Sequence, residues 1–331
     1  MKPPYRVLLL GLGFIGKTWI RTIQNDSRCR LAAAAGQPYR NETLASLGLT
    51  EETAYFADYR EAIDKTEADL AVIAIPTRFH TDAAERALKK GMHILSEKPL
   101  ASDDADADRA IALQKAFPDR IYAVDQNYRW RPHNRTVKRL LDEGIVGDLK
   151  EIHIRFRQPD DLNGYRADLE QPLLQDVCIH HFDLLRFFSG KACKRVLARS
   201  YHTPWSVFRG RASTDVMLEM EDGLYVTYTG TWAAHGRLTT WDGDFMFCGE
   251  KGVLTMENDR IVFFADGETE GREIAPDPLA DTEQAGCLSN VLDAMESGAP
   301  LETPVGDNAG SFRIVCAAER SVASGAWEVP L

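Results

Sequence analysis

The chain has 331 residues, enough for two domains with separate hydrophobic cores, and its 39 basic and 50 acidic residues give a formal net charge of −11. The basic residues form no long block, which argues against binding to nucleic acid or to an anionic membrane and favours a small-molecule partner. The six cysteines are scattered without a C-x-x-C pair, so we predict reduced thiols and no bound metal. No leader-like or long apolar segment stands out, and we expect a cytoplasmic protein.

The first third of the chain alternates short apolar runs with segments of helical periodicity. The strand candidates are Tyr5–Leu10, Arg30–Ala35, Asp69–Ile75, His93–Ser96 and Ile121–Val124. The helical segments lie near Phe14–Gln24, Glu42–Leu47, Phe79–Lys89 and Asp103–Lys115. They have the length of crossovers that join parallel strands. The pattern therefore predicts an α/β fold, with a doubly wound parallel sheet of Rossmann type over residues 1–125.

A glycine-rich turn follows the first apolar run without a gap. Gly11-Leu12-Gly13-Phe14-Ile15-Gly16 has the spacing G-x-G-x-x-G, between a strand and an amphipathic helix. Such a turn lets a pyrophosphate approach the backbone and the unpaired N–H groups of a helix N-terminus. We therefore predict a dinucleotide site that includes Gly11, Gly13, Phe14, Ile15 and Gly16.

The pattern changes after about residue 125, and strands come to dominate. The helix candidates are Asn134–Glu143, Asp176–Phe188, Thr282–Ser297 and Asn308–Ser324. The strand candidates are Leu149–Arg157, Val196–His202, Ser213–Met220, Leu224–Thr231, Trp241–Cys248, Gly252–Glu257 and Arg260–Phe264. They predict a second α/β domain over residues 126–331 with a large, open, mostly antiparallel sheet. We expect residues 265–278 to form an exposed loop and the last helix to return to the first domain.

Lys98 follows the predicted strand His93–Ser96 within Glu97-Lys98-Pro99. Ligands of doubly wound sheets bind outside the carboxyl ends of the strands, which places this lysine at the expected site. Its ammonium could stabilise an alkoxide or polarise a carbonyl. A solvated surface lysine is the alternative.

A second candidate group lies on the helix that begins near Asp176. Asp176, His180 and Asp183 recur at helical spacing, and an imidazole beside a carboxylate suits proton transfer at neutral pH. The alternatives are a helix-capping aspartate with two partly buried histidines, His180 and His181, or a metal site. No further ligand cluster supports a metal.

Three motifs in this order resemble the Gfo/Idh/MocA oxidoreductase family: the glycine-rich turn Gly11–Gly16, the segment Glu97-Lys98-Pro99, and Asp176 followed by His180. Further matching segments are Ile75–His80, Asn127–Pro132 and Gly144–Leu149. The resemblance implies an NAD- or NADP-dependent enzyme that interconverts a hydroxyl and a carbonyl on a sugar, polyol or related molecule. It implies Lys98, Asp176 and His180 as catalytic residues, with His180 as general acid/base in preference to His181. It also implies a homodimer or homotetramer.

The end of the second strand bears on the choice of cofactor. NAD-preferring members carry an acidic residue there for the ribose diol, whereas this chain reads Gly36-Gln37-Pro38-Tyr39-Arg40. Without the acid there is no repulsion of a 2′-phosphate, and Arg40 could pair with one, which favours NADP over NAD. Further cofactor contacts are expected from Gln37, Pro76, Thr77, His80, Glu97 and Lys98.

Polar and aromatic residues around the catalytic group are candidates for the substrate pocket. Besides Lys98, Asp176 and His180, they are Arg157, Gln158, Tyr165, Arg166 and Trp232. Arginines suit a carboxylate or phosphate, and aromatic faces suit sugar C–H surfaces. Two other functions stay open at this point: a dinucleotide-binding sensor without turnover, and a glycosidase or epimerase in which NAD cycles internally.

Overall fold

The computed structural model describes residues 2–160 and 164–331. The chain divides into two compact units, Met1–Trp130 with Ala280–Ala309 (unit 1) and Arg131–Leu279 with Gly310–Leu331 (unit 2). Within the described ranges, no helix is both long and apolar enough to cross a membrane.

The α-helices, in chain order, are α1 (Phe14–Asn25), α2 (Asn41–Ser46), α3 (Tyr59–Lys65), α4 (His80–Lys89), α5 (Asp104–Ala116), α6 (Pro132–Asp142), α7 (Cys178–Ser189), α8 (Glu283–Ser297) and α9 (Val305–Ser324). The strands are β1 (Tyr5–Leu10), β2 (Cys29–Ala35), β3 (Ala54–Phe56), β4 (Leu70–Ile73), β5 (His93–Glu97), β6 (Tyr122–Asp125), β7 (Leu149–Arg157), β8 (Cys193–Tyr201), β9 (Ser213–Met220), β10 (Tyr225–Thr231), β11 (Asp244–Gly249), β12 (Gly252–Glu257), β13 (Arg260–Ala265) and β14 (Arg272–Ile274). Short 3-10 turns and one π-helical turn, Leu173–Val177, complete the list of helical segments.

Unit 1 is built on a six-stranded sheet in the order β3-β2-β1-β4-β5-β6. Neighbouring strands are parallel throughout. The central strands are buried on both faces because helices cover both sides, which explains why they are continuous apolar runs. This is the doubly wound architecture that the first third of the sequence predicted.

Two elements of this unit were not predicted from the sequence. β3 is a three-residue edge strand whose side chains are exposed or half-buried, so it carries little hydrophobic pattern. Helix α3 follows it and is capped by Asp58, whose side chain accepts hydrogen bonds from the backbone N–H groups of Arg60 and Glu61.

Helix α8 belongs to unit 1 although it lies late in the chain. Leu288, Val291 and Leu292 are buried in the same hydrophobic cluster as Trp19 and Ile20 of α1. The sequence prediction placed this helix within residues 126–331, because periodicity shows that a helix has an apolar face but not which partner covers it.

Unit 2 is built on an eight-stranded sheet in the order β14-β13-β12-β11-β7-β10-β9-β8. All its neighbours are antiparallel except β7 and β10, which run parallel. Burial alternates along the strands, as in β10, where Val226 and Tyr228 are buried while Tyr225 and Thr227 are exposed. The predicted large, open, mostly antiparallel sheet is confirmed.

Three local predictions in unit 2 need correction. Residues 265–278 contain β14, a short edge strand paired with β13, and are not entirely loop. The strand predicted from Trp241 begins only at Asp244, since a turn closed by the Gly243 N–H precedes it. The helix predicted from Asp176 begins as the π-helical turn, and regular α-helix starts at Cys178.

Candidate active site

The three glycines of the turn between β1 and α1 differ in the space around their Cα atoms. The middle glycine is open to a ligand, and the first and third are not. Gly11 has φ +109°, and a Cβ there would lie 2.1 Å from the carbonyl oxygen of Ala74. A Cβ on Gly16 would lie 2.3 Å from the Gly11 oxygen, whereas a Cβ on Gly13, the N-cap of α1, would meet nothing within 4 Å. The first and third glycines therefore serve backbone packing, and the middle one keeps the helix N-terminus open. These residues fit a pyrophosphate.

The segment after β2 is held by a tyrosine of β3. The hydroxyl of Tyr55 donates to the carbonyl oxygen of Gln37 and lies 3.3 Å from the Tyr39 backbone N–H. Gln37 and Arg40 are exposed beyond it. Within the described part of the chain, Arg40 forms no ion pair, so its guanidinium can bind an anion.

His80 connects the segments that follow β4 and β5. Its Nε2 lies 2.7 Å from the carbonyl oxygen of Ile75 and its Nδ1 lies 3.1 Å from that of Pro99. Burial lowers the pKa of His80. The His80 ring thus contacts both segments. In the segment that follows β4, Pro76 is exposed and Thr77 is half-buried.

In the Glu97-Lys98-Pro99 turn, the side chains of Glu97 and Lys98 differ in burial. Glu97 is buried, and its Oε1 accepts a hydrogen bond of 2.7 Å from the indole Nε1 of Trp19. Lys98 is half-buried and directly follows β5, at the carboxyl end of the sheet where ligands of doubly wound folds bind. No sequence signal linked Trp19 to this turn, because the two are 78 positions apart in the chain.

Asp176 and His180 stand at the junction of the π-helical turn and α7, and each is 7% exposed. Arg166 donates from Nε to Oδ2 of Asp176 at 2.7 Å. Its guanidinium carbon also lies 5.9 Å from the centre of the Trp232 ring. π-Helical turns occur frequently at functional sites. The structure therefore brings together Arg166, Asp176 and Trp232, three of the residues proposed from sequence.

The adjacent His181 is fully buried and both its ring nitrogens are engaged. Its Nε2 lies 3.0 Å from the carbonyl oxygen of Trp241, which can only accept, so Nε2 carries the proton. Its Nδ1, 3.0 Å from the Tyr228 hydroxyl, must then accept from it. Burial lowers the pKa of His181 to about 4, and the ring is a neutral part of the core.

Asp183, the third member of the predicted helical face, faces a different partner. Its Oδ1 accepts a hydrogen bond of 2.8 Å from the Ser311 hydroxyl on α9. It is 1% exposed and serves the packing of α7 on the unit 2 part of α9.

The remaining substrate candidates have structural contacts of their own. Arg157 donates to the carbonyl oxygens of Arg237 and His235 at 3.1 and 2.9 Å, and Gln158 donates to that of Thr239. Trp232 is 2% exposed and packs edge-on against Trp241. The side chain of Tyr165 lies outside the described residues.

Two groups of described side chains could supply metal ligands. Glu151, His153 and Cys248 lie on the exposed face of the unit 2 sheet, and His133, Asp242 and Asp259 lie near α6. In the second group, Arg131 Nη1 is already 2.8 Å from Asp242 Oδ1 and neutralises it. Neither group includes Lys98, Asp176 or His180.

Comparison with known proteins identifies the class. Residues 5–124 match the oxidoreductase family with an NAD-binding Rossmann fold, and residues 134–255 match the GFO/IDH/MocA C-terminal domain. Because the two matches cover more than half of the chain, it belongs to the Gfo/Idh/MocA oxidoreductase family, as the motifs predicted. It is a dehydrogenase or reductase with an NAD(P)-binding domain.

Individual relatives agree with this class. Inositol 2-dehydrogenase from Rhizobium meliloti (strain 1021) is 29% identical, over 95% of this chain and 96% of that protein. The dTDP-3,4-didehydro-2,6-dideoxy-alpha-D-glucose 3-reductase of Streptomyces violaceoruber is 26% identical, over 70% of this chain and 73% of its own. In fold, the chain is similar to an oxidoreductase from Agrobacterium radiobacter solved with NAD+, L-tartaric acid and magnesium, with TM-score 0.87, 20% identity and coverage of 99% and 98%.

The buried neutral His181 predicts a specific dependence of stability on pH. In the unfolded chain its pKa is near 6.5, so between about pH 6.5 and 4 the unfolded state binds the additional proton. The free energy of unfolding should therefore fall as the pH is lowered through this window, by about 3 kcal/mol from this group. Burial also lowers the pKa of His93 to about 4 and lowers that of His80, so the wild-type slope contains all three groups.

His181→Gln isolates the contribution of His181, because the amide can donate to Trp241 and accept from Tyr228 without titrating. Urea unfolding at pH 7 and pH 5 should show a smaller loss of stability in this variant than in the wild type. Exposed His202→Gln is the control. An unchanged pH slope in His181→Gln would contradict the assignment.

Proposed function

We propose that this protein is an NAD(P)-dependent oxidoreductase that interconverts a hydroxyl and a carbonyl on a sugar, polyol or related small molecule. Lys98, Asp176 and His180 are the proposed catalytic residues. Contacts to the cofactor are proposed from the 11–16 turn and from the segments that follow β2, β4 and β5.

The different environments of the adjacent histidines His180 and His181 are the main support for the proposed catalytic role. His181 has both ring nitrogens engaged in the core and a pKa lowered to about 4, which makes it unsuited to proton transfer at neutral pH. Around the axis of α7, the side chain of His180 is rotated by about 100° relative to that of His181. His180 also follows Asp176 by about one helical turn. This supports His180 as the general acid/base.

In the oxidative direction, His180 takes the proton of the substrate hydroxyl. Lys98 stabilises the oxygen as negative charge develops on it, and donates to the carbonyl oxygen in the reverse direction. Asp176, which accepts from Arg166 at 2.7 Å, orients the substrate and the imidazole. Bound NAD(P) would supply the hydride acceptor in this direction and the hydride donor in the reverse direction. The substrate hydroxyl thus becomes a carbonyl, and its proton is left on His180.

The substrate class rests on the relatives. By their names, one relative is a dehydrogenase that acts on inositol and the other is a reductase that acts on a dTDP-linked glucose derivative. The Arg166–Asp176 pair is compatible with such a substrate, since charged groups form strong hydrogen bonds to hydroxyls.

Substitution of the proposed catalytic residues should abolish most of the turnover. Lys98→Met and His180→Ala should each lower kcat by about 10²- to 10⁴-fold, because each removes a charge or proton transfer needed in the transition state. The measurement is steady-state oxidation across a panel of inositols, sugars and polyols. Exposed Lys115→Met and His202→Ala are matched controls that should keep wild-type rates.

Full turnover in both Lys98→Met and His180→Ala would contradict this mechanism. Tight cofactor binding with no turnover on any substrate of the panel would identify a dinucleotide-binding sensor instead. Release of free reduced cofactor in a single turnover would exclude a glycosidase or epimerase in which the cofactor cycles internally.

For the cofactor, we propose a preference for NADP over NAD. No carboxylate stands in the segment Gly36–Arg40 after β2, and Arg40 is exposed without an ion pair in the described part of the chain. A 2′-phosphate would meet a guanidinium and no repelling acid there.

Arg40→Ala tests this preference. It should weaken NADPH binding by about 10- to 100-fold, the equivalent of one hydrogen bond to a charged group, and leave NADH binding unchanged. Fluorescence titration with each nucleotide gives both dissociation constants. Arg30→Ala, an exposed arginine at the other end of β2, is the control. Equal losses for both nucleotides, or tighter NADH binding by the wild type, would overturn the proposal.

We further propose a homodimer or homotetramer formed through the exposed face of the unit 2 sheet. Met217, Tyr225 and Met246 on this face are 51, 59 and 37% exposed, which is unusual for large apolar side chains in a sheet. Light scattering should give two or four times the 37.0 kDa of one chain, and Met217→Glu should reduce that mass. Ala112→Glu on the exposed side of α5 is the control. A wild-type mass of one chain would contradict the proposal.

A further inference from the structure

Two buried carboxyl groups face each other at the ends of β5 and β6. Glu97 and Asp125 are register partners on these parallel strands and are 8 and 1% exposed. Register partners on neighbouring strands carry their side chains on the same face of the sheet, so the two carboxyl groups are neighbours. Asp125 has no part in the proposed reaction, and the Glu97 carboxylate contacts Trp19 in the interior.

Two carboxyl groups that are neighbours in a buried site require a proton. Ionised carboxylates are acceptors only, so the two groups can hydrogen-bond to each other only when one of them is protonated and donates. Two negative charges at this distance in a buried site would also repel strongly. The pair therefore holds one proton and one negative charge.

The surrounding donors decide where that charge lies. Glu97 accepts a hydrogen bond from the Trp19 indole at 2.7 Å. The neighbour of Asp125 on its other side is the Cys287 thiol, which is a weak donor. Hydrogen bonds to the charged form favour ionisation, so Glu97 is the carboxylate. Consistently, burial followed by the charge of Glu97 raises the pKa of Asp125 well above its usual range.

The Glu97 carboxylate also connects the elements on which Lys98 depends. Trp19 lies on α1, the helix that begins in the glycine turn, and is fully buried. Lys98 directly follows Glu97 in the chain, so holding the Glu97 side chain fixes the backbone from which the lysine side chain extends. Loss of the carboxylate would release both.

We propose that Asp125 and Glu97 form a one-proton carboxyl pair, with the proton on Asp125, and that Glu97 acts through it as a positioning residue for Lys98. The positioning role rests on the proposed function of Lys98, whereas the shared proton does not.

Asp125→Asn and Glu97→Gln are the matched variants. Asparagine imitates the protonated carboxyl, because its amide can donate to Glu97, so kcat should stay within the same order of magnitude as in the wild type. Glutamine removes the charge that holds the Trp19 donor and with it the turn that carries Lys98, and kcat should fall about a hundredfold, as for a small misplacement of a catalytic group. The reverse order of the two effects would place the charge on Asp125 and overturn the proposal.

Infrared spectroscopy tests the proton independently of activity and of the folding of Glu97→Gln. The wild-type protein at neutral pH should show the C=O stretch of a buried carboxylic acid, which shifts in D₂O and is missing from Asp125→Asn. Lys98→Met should keep this band. A wild-type spectrum without the band would overturn the proposal, while full activity of Lys98→Met with the band present would refute only the role of Lys98.

Discussion

The close approach of the Gly11 backbone to the end of β4 is the constraint on which the rest of unit 1 depends. With 2.1 Å between an added Cβ and the Ala74 oxygen, and 2.3 Å between a Cβ on Gly16 and the Gly11 oxygen, only glycine lets α1 start directly against the sheet. Once α1 is in place, Trp19 lies in the core and reaches Glu97, and α8 packs on the same cluster. The turn thus determines both the opening for a pyrophosphate and the position of the helix behind it.

Buried polar side chains hold the segments that carry the proposed catalytic residues. His80 contacts the segments after β4 and β5, Glu97 holds the turn that carries Lys98, and His181 fixes α7 against Tyr228 and the Trp241 carbonyl. Each is hydrogen-bonded because an unpaired buried polar group costs about 1–3 kcal/mol. Residues next to the proposed catalytic groups are therefore structural, and they hold the loops and helix that present Lys98 and His180.

The elements missed by sequence reasoning have a common physical character. β3 and β14 are three-residue edge strands with mostly exposed or half-buried side chains, so no alternation distinguishes them from loop. The π-helical turn before α7 has the same residue types as a regular helix, and its backbone hydrogen bonds leave no sequence pattern. Contacts such as that of Arg166 with Asp176 depend on how loops pack, which local propensity does not encode.

The sequence by itself determined the class: a doubly wound domain with a glycine turn, a second domain with an open sheet, and membership of the Gfo/Idh/MocA family. Motif spacing suffices for this, because short-range backbone geometry and strand periodicity are local properties. Only the tertiary structure showed that His181 is a neutral part of the core and that Glu97 faces Trp19 and Asp125. These assignments depend on burial and on partners distant in the chain, which become neighbours only when the core is packed.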